Sequence, residues 1–284
     1  MKIPKYWAKS VQVVPQPGGR TLKLACWQWS DISIDQAQQK AVDRARELAQ
    51  KVLAGAQLNR YGYSERPLRE EITQALTNRA GHETAVVTRN LYGALVLNTA
   101  NAMFIDIDFA EKSASGSLAG QLGRMLGGRS PGPDEPYVQR ISTWASRHPD
   151  LSLRIYRTFA GLRCLITNQL FDPGQAESVD ILQALGSDPL YIRLCQAQVC
   201  FRARLTPKPW RSGIGTPPVR YPFESAAVET RYREWEQRYG QTVAPYSVCK
   251  FVKQIGPNEV HPDIEPILSL HDQMTGMQNE RQLA

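Results

Sequence analysis

Met103-Phe104-Ile105-Asp106-Ile107-Asp108-Phe109 sets two carboxylates, two residues apart, inside an otherwise apolar run. Another apolar segment, Leu91-Tyr92-Gly93-Ala94-Leu95-Val96-Leu97, comes shortly before it. Read as a strand, the run turns Asp106 and Asp108 to one face and Ile105, Ile107 and Phe109 to the other, towards a core. The carbon anchors of the two acids then lie about 6–7 Å apart. A sheet seldom holds two unpaired carboxylates side by side, because desolvation and like-charge repulsion both oppose their ionisation. A divalent cation removes both difficulties, and hard ions such as Mg²⁺ or Mn²⁺ take one or two carboxylates together with substrate phosphates. In the competing reading the acids end the strand and pair with nearby arginines.

Working outward, residues 93–98 and 102–109 are joined by Asn98-Thr99-Ala100-Asn101, which predicts a hairpin. Upstream, Thr84–Thr88 reads as a strand. Val11–Val14 and Leu22–Trp27 flank the turn signal Pro15-Gln16-Pro17-Gly18-Gly19, a short β region. Ser33 and Gln36 form a capping box for a helix along Ile34, Ala37, Ala41, Ala45, Leu48 and Val52, stopped by Gly55. Residues 58–72 interleave Arg60, Tyr61, Tyr63, Arg66 and Arg69 with Glu70 and Glu71; a surface helix with ion pairs is expected, with a nucleotide contact as the alternative.

Downstream, residues 111–135 are dominated by Ser, Gly and Pro. They form either a tolerated inserted loop or a flap bringing Arg124 and Arg129 towards Asp108. A helix over 137–147 follows. Then two strands around Thr158-Phe159-Ala160-Gly161 carry Arg154, Arg157 and Arg163, which suit phosphate oxygens through their forked donors. Asp188-Pro189 starts a further helix as N-cap acid and first-turn proline. Helical spacing runs on through Leu205, although 198–205 also alternates as a strand would. This stretch delivers Arg202, Arg204, Lys208 and Arg211, with Trp210 among them, a pattern matching a surface that tracks a nucleic-acid backbone. Helices at 224–239 and 263–274 and a strand at 247–252 complete the chain.

The reading predicts one compact unit with three parts: 1–80, a strand and helix region packed on the core; 81–211, the core itself; and 212–284, a helical region. With 284 residues, 42% hydrophobic and 21% charged, the composition is that of a globular domain. No run approaches the ~20 apolar residues of a membrane span, and the first residues lack the apolar core of a signal peptide. A cytoplasmic location and no membrane partner are therefore expected. The five cysteines are scattered without a Cys-x-x-Cys pair, which argues for reduced buried thiols over zinc or disulfides. The net charge of +7 fits a polyanionic partner, DNA or RNA. No P-loop, dinucleotide fingerprint, nucleophile elbow or His-x-x-x-His spacing occurs. The acid pair with its arginines is what remains, and phosphoryl or nucleotidyl transfer uses that combination.

Phe104-Ile105-Asp106-Ile107-Asp108 resembles the first catalytic motif of the archaeo-eukaryotic primase-polymerases. The family's second motif, Ser-x-His, has its nearest counterpart in Thr158-Phe159-Ala160-Gly161-Leu162-Arg163, where an arginine stands in place of the histidine. For the third motif, a single later acid, Asp172, Asp180 and Asp188 are candidates. The resemblance spans residues 80–210. It implies an α+β fold, a palm-like mixed sheet of RNA-recognition type with flanking helices, and nucleotides as substrates. Asp106 and Asp108 would bind Mg²⁺ or Mn²⁺, and Arg154, Arg157, Thr158 and Arg163 would face the nucleotide. It predicts a metal-dependent nucleotidyltransferase. Two other readings stand beside it: a binder of nucleotide or nucleic acid on a similar scaffold without catalysis, and an α+β interaction protein whose acids and arginines form a structural network.

Overall fold

The computed structural model describes residues 1–16, 18–56, 66–109 and 134–284. The predicted flap and most of the predicted surface helix, including Arg60, Tyr61, Tyr63, Arg124 and Arg129, lie outside them. The chain opens with an antiparallel hairpin, β1 (Tyr6–Pro15) and β2 (Thr21–Ser30). It is packed by the small-residue face of α1 (Ile34–Leu53), where Ala37, Ala41 and Ala45 are fully buried. Ser33 caps α1 by accepting from the Gln36 N–H at 3.1 Å.

Two four-stranded sheets follow. In the first, β3 (Glu71–Thr77), β4 (Glu83–Arg89), β5 (Leu95–Thr99) and β9 (Phe201–Arg204) lie in that order. In the second the order is β11 (Cys249–Ile255), β7 (Leu153–Thr158), β8 (Gly161–Ile166) and β6 (Phe104–Asp108). The fold is α+β, as expected. Every pairing in these two sheets is antiparallel; among the described residues, parallel pairing is confined to the two-residue ladder of β10 (Tyr246–Ser247) with β12 (Gln282–Leu283).

The expected hairpin of 93–98 with 102–109 does not form. β5 pairs with β4 and β9, whereas β6 crosses to the other sheet and pairs with β8. The link carries the chain between sheets, held by the Thr99 hydroxyl donating to the Ala102 carbonyl at 2.6 Å. The helix expected to run through residue 205 also stops early. α4 (Pro189–Gln198) closes on Val199, whose φ of 51° is left-handed, and residues 201–204 extend as β9. Ladder bonds to β5 outweigh the apolar spacing there, because tertiary pairing overrides a local period. The sheets run across the boundaries of the three expected parts: β3 of the N-terminal part pairs with β4, and β11 of the C-terminal part extends the second sheet beside β7. Residues 66–72 are likewise not helical, since β3 starts at Glu71 and Glu70 is buried.

The main core lies between the second sheet and helices α2 (Glu135–Ala145), α3 (Ala176–Leu185) and α6 (Glu265–Thr275). Ile105, Ile107, Ile155, Leu162, Cys164, Ile141, Leu182 and Ile267 are all at most 2% exposed. Each aliphatic side chain buried this way contributes about 1.5–3 kcal/mol. All six residues of β8 are buried, so its alternation of apolar and polar residues does not mark a solvated face. The remaining long helix, α5 (Ala226–Val243), presents Tyr232, Trp235 and Tyr239 inward. All five cysteines are free and buried, in keeping with the expected thiols. No helix among the described residues is long and apolar enough to cross a membrane.

Candidate active site

β6 and β9 are the facing edges of the two sheets, and the site lies where they part. The Tyr191 hydroxyl of α4 bridges the gap, donating to the Phe104 carbonyl at 2.7 Å and accepting from the Arg202 N–H at 3.2 Å. Burial among these groups pushes the Tyr191 phenol well up, which keeps it a donor. Further along the same edge, the Asp106 carbonyl accepts from the Ser187 hydroxyl at 2.8 Å and the Asp188 N–H at 3.2 Å. The strand edge is thus closed by the α3–α4 junction, and Asp188 is drawn to the acid pair.

The alternation expected for β6 holds. Ile105 and Ile107 are buried, Asp106 is partly exposed and Asp108 is exposed. Register explains the difference between the two acids. Asp106 stands opposite Arg163 of β8, whereas Asp108 stands opposite Gly161, which has no side chain to cover it. Gly161 also sits so close to β6 that a Cβ would overlap the Ile107 carbonyl. Burial, the Asp106 carboxylate and the Asp188 carboxylate together hold the Asp108 carboxyl above the usual range. The charges of Lys208 and Arg204 offset this only in part, and a divalent cation beside the acids would offset it further. Among the described residues, however, no three His, Cys, Asp or Glu side chains come close enough together to hold one.

A cavity of about 800 Å³ opens over the acids. Asp106, Asp108, Asp188 and Thr158 line one side, and Arg193, Arg204, Lys208 and Arg211 supply cations. The Arg204 guanidinium is lowered to about 10 by burial and by the neighbouring Arg163 charge, and it stays protonated at neutral pH. Burial and the charges of Arg204 and Arg211 likewise lower Lys208. Trp210, half exposed, stands edge-on to Tyr92 of the cavity wall, with ring centroids 5.3 Å apart. Arg211 lies 4.2 Å above the Phe159 ring.

The hairpin arginines do not gather around a phosphate position. Arg154 and Arg157 are three residues apart on β7 and so face opposite sides. Arg154 donates to Asp272 at 2.9 Å and to the Tyr156 hydroxyl at 2.9 Å. Arg157 donates to the Thr158 and Gly161 carbonyls of its own turn and lies 4.3 Å over Phe109. Arg163, 2% exposed, donates to the Arg204 carbonyl at 2.9 Å, while its Nε lies 3.6 Å from Asp106 Oδ1. That distance is an ion pair and not a hydrogen bond. Behind it, His271 Nε2 lies 3.4 Å from Arg163 Nη1, and Nδ1 is 2.9 Å from Asp272 Oδ1. Burial and the adjacent Arg163 lower His271 to about 4, so the neutral ring donates to Asp272 and turns its lone pair to Arg163.

Of the remaining expected site residues, Thr158, Arg204, Lys208 and Arg211 line the acid cavity. Arg202 is sequestered by Glu70, through Nη2 at 2.8 and 2.9 Å from the two carboxylate oxygens. Asp188 is the one third-acid candidate brought to the pair. Asp172 caps its own turn at Gly174 and Asp180 is exposed on α3. Tyr191 and Arg193 went unsignalled, because their roles depend on α4 crossing the edge between the sheets. Comparison with family models, with characterised proteins and with solved structures finds no match to this chain.

Proposed function

We propose that the protein is a metal-dependent nucleotidyltransferase of primase-polymerase type, acting on nucleotides, on nucleic acid (DNA or RNA), or on both. The observation that carries this reading is the pairing, across one cavity, of Asp106 and Asp108 with Arg204, Lys208 and Arg211. Transfer of a nucleotidyl group needs both halves, acids to hold cations and fixed positive charge to meet the phosphates. Asp106 and Asp108 would hold Mg²⁺ or Mn²⁺, with substrate phosphates completing the shell. The ion would neutralise phosphate charge at the reacting centre. Arg204 and Lys208 bind and orient the phosphates, and their partial desolvation strengthens that contact. Arg163 holds Asp106 from behind, and Tyr191 keeps the two strand edges at a fixed separation. Tyr92 and Leu190 shape the apolar part of the wall, where a base or sugar fits.

A second reading, binding without catalysis, draws on Arg163 in the histidine's place and on the lack of a three-ligand group among the described residues. Calorimetric titration of Mn²⁺ in the presence of a nucleoside triphosphate tests the metal site. Binding is expected in the parent and lost in Asp106→Ala and Asp108→Ala, and a parent that binds no Mn²⁺ sinks the proposal. Extension of a labelled oligonucleotide separates the enzyme from the binder. A structural Asp–Arg network would instead show as a loss of several kcal/mol of stability in Asp106→Ala.

A further inference from the structure

A second cavity, of about 360 Å³, lies between the N-terminal hairpin and the segments around Arg69 and Tyr221. Three arginines line it: Arg66, Arg69 and Arg220. Burial and the charges of Arg220 and Arg66 lower the Arg69 guanidinium, so the three feel one another directly. Glu70 also lines the cavity, but both of its oxygens are taken by Arg202. Arg69 lies 4.4 Å above the ring of Trp27, which fixes its plane and leaves its N–H edge for a ligand. Neither Arg69 nor Arg220 makes an ion pair among the described residues. Like charges held together in a concave, half-buried place are stabilised by an anion with several oxygens.

The position of this cavity extends the argument. A third, intermediate cavity shares Leu68, Glu70 and Leu91 with it, and shares Asp106, Arg204 and Lys208 with the acid site. The three cavities thus adjoin one another through shared walls, in a line from the acids to the arginine cluster.

We propose that the Arg69–Arg220 cavity is a phosphate-binding site, separate from the acid cavity, that takes a phosphate of a ligand lying along the intermediate cavity. The phosphate can belong to a polynucleotide strand or to a free nucleotide; the strand as its source rests on the nucleotidyltransferase reading, whereas phosphate binding does not. Arg69 and Arg220 donate to its oxygens, and Trp27 and Tyr221 flank the group or its attached base.

The test follows tryptophan fluorescence while the full chain is titrated with pyrophosphate, with a nucleoside triphosphate and with an oligothymidylate. The parent is expected to bind pyrophosphate, and Arg220→Gln, an exposed position, to weaken it on the order of tenfold, as for one lost charge-assisted contact. Arg69→Gln should weaken it similarly, and Trp27→Phe should remove most of the signal. Oligothymidylate bound more tightly than the triphosphate, with a salt slope reduced by about one in Arg220→Gln, identifies the strand as the source. The reverse order identifies the free nucleotide. Mn²⁺ titration of the parent without pyrophosphate is read on its own, so failure of the metal site and failure of this site are distinguished. Pyrophosphate binding that is absent, or unchanged in both arginine variants, overturns the proposal.

Discussion

Arg202 and Arg204 stand two residues apart on β9, on the same side of one strand, and their surroundings oppose each other. Arg202 is fully desolvated, but Glu70 meets its charge with a two-oxygen contact, and the net effect of that carboxylate is to raise the guanidinium. Arg204 is nearly as buried, yet its nearest charges are mostly positive, and it is lowered to about 10. Its Nε is buried without a hydrogen-bond partner. The first arginine is part of the scaffold that joins the 66–70 segment to the sheet. The second has no carboxylate within ion-pair distance among the described residues, and the proposed function assigns it to phosphate. Burial alone thus does not separate the two arginines; the presence of a carboxylate partner does.

The largest effect should come from opening the closed pair. Glu70→Ala leaves the Arg202 charge buried and uncompensated, and a loss of about 3–5 kcal/mol is expected by chemical denaturation. A loss under about 1 kcal/mol would mean that Arg202 reaches water, and the contrast with Arg204 would collapse. Next comes the network behind Asp106. His271 is held neutral in the fold at about 4, below its ordinary value of 6.5. The unfolded chain therefore binds a proton first as pH falls. Stability is level above pH 6.5 and declines between 6.5 and 4, by on the order of 3 kcal/mol. Denaturation midpoints across that window check this, and His271→Gln should flatten the decline.

On the open side, Arg204→Gln should cost little stability, since it removes a buried cation without a carboxylate partner. It should weaken triphosphate binding by about tenfold or more, as expected for a charge-assisted contact. Equal binding by the variant would move the phosphates elsewhere. The smallest stability change is expected for Asp108→Asn, which is exposed opposite Gly161 and lies within about 0.5 kcal/mol of the parent. The same change should abolish Mn²⁺ binding. In the parent, the raised Asp108 carboxyl should make Mn²⁺ affinity fall on acidification at a higher pH than an ordinary carboxylate would, measured by titration across pH 4–7.

Much of the local structure was legible. The acid pair reads directly as a strand with two same-face carboxylates, because side-chain alternation is a property of the extended backbone. Ser33 and Asp188-Pro189 mark helix starts by local chemistry, and α1 and α4 begin where those residues stand. The Thr158–Gly161 turn was also legible, with β7 and β8 on either side. The arginines were not. Arg154, Arg157 and Arg163 are neighbours in the chain, but Asp272, a local turn and Asp106 take them in three directions. Arg202 and Arg204 look equivalent in sequence, and only Glu70, from 132 positions away, separates them.

What the sequence determined by itself was the periodicity, the caps and the types of side chain present, since each depends on residues within a few positions. Tertiary structure alone decided that β6 leaves β5 for a second sheet, that Asp188 and Arg204 arrive beside Asp106, and that an intermediate cavity adjoins both the acids and the Arg69–Arg220 cavity. Those outcomes depend on which charges meet after distant segments pack, and long-range pairing is not encoded in any local pattern.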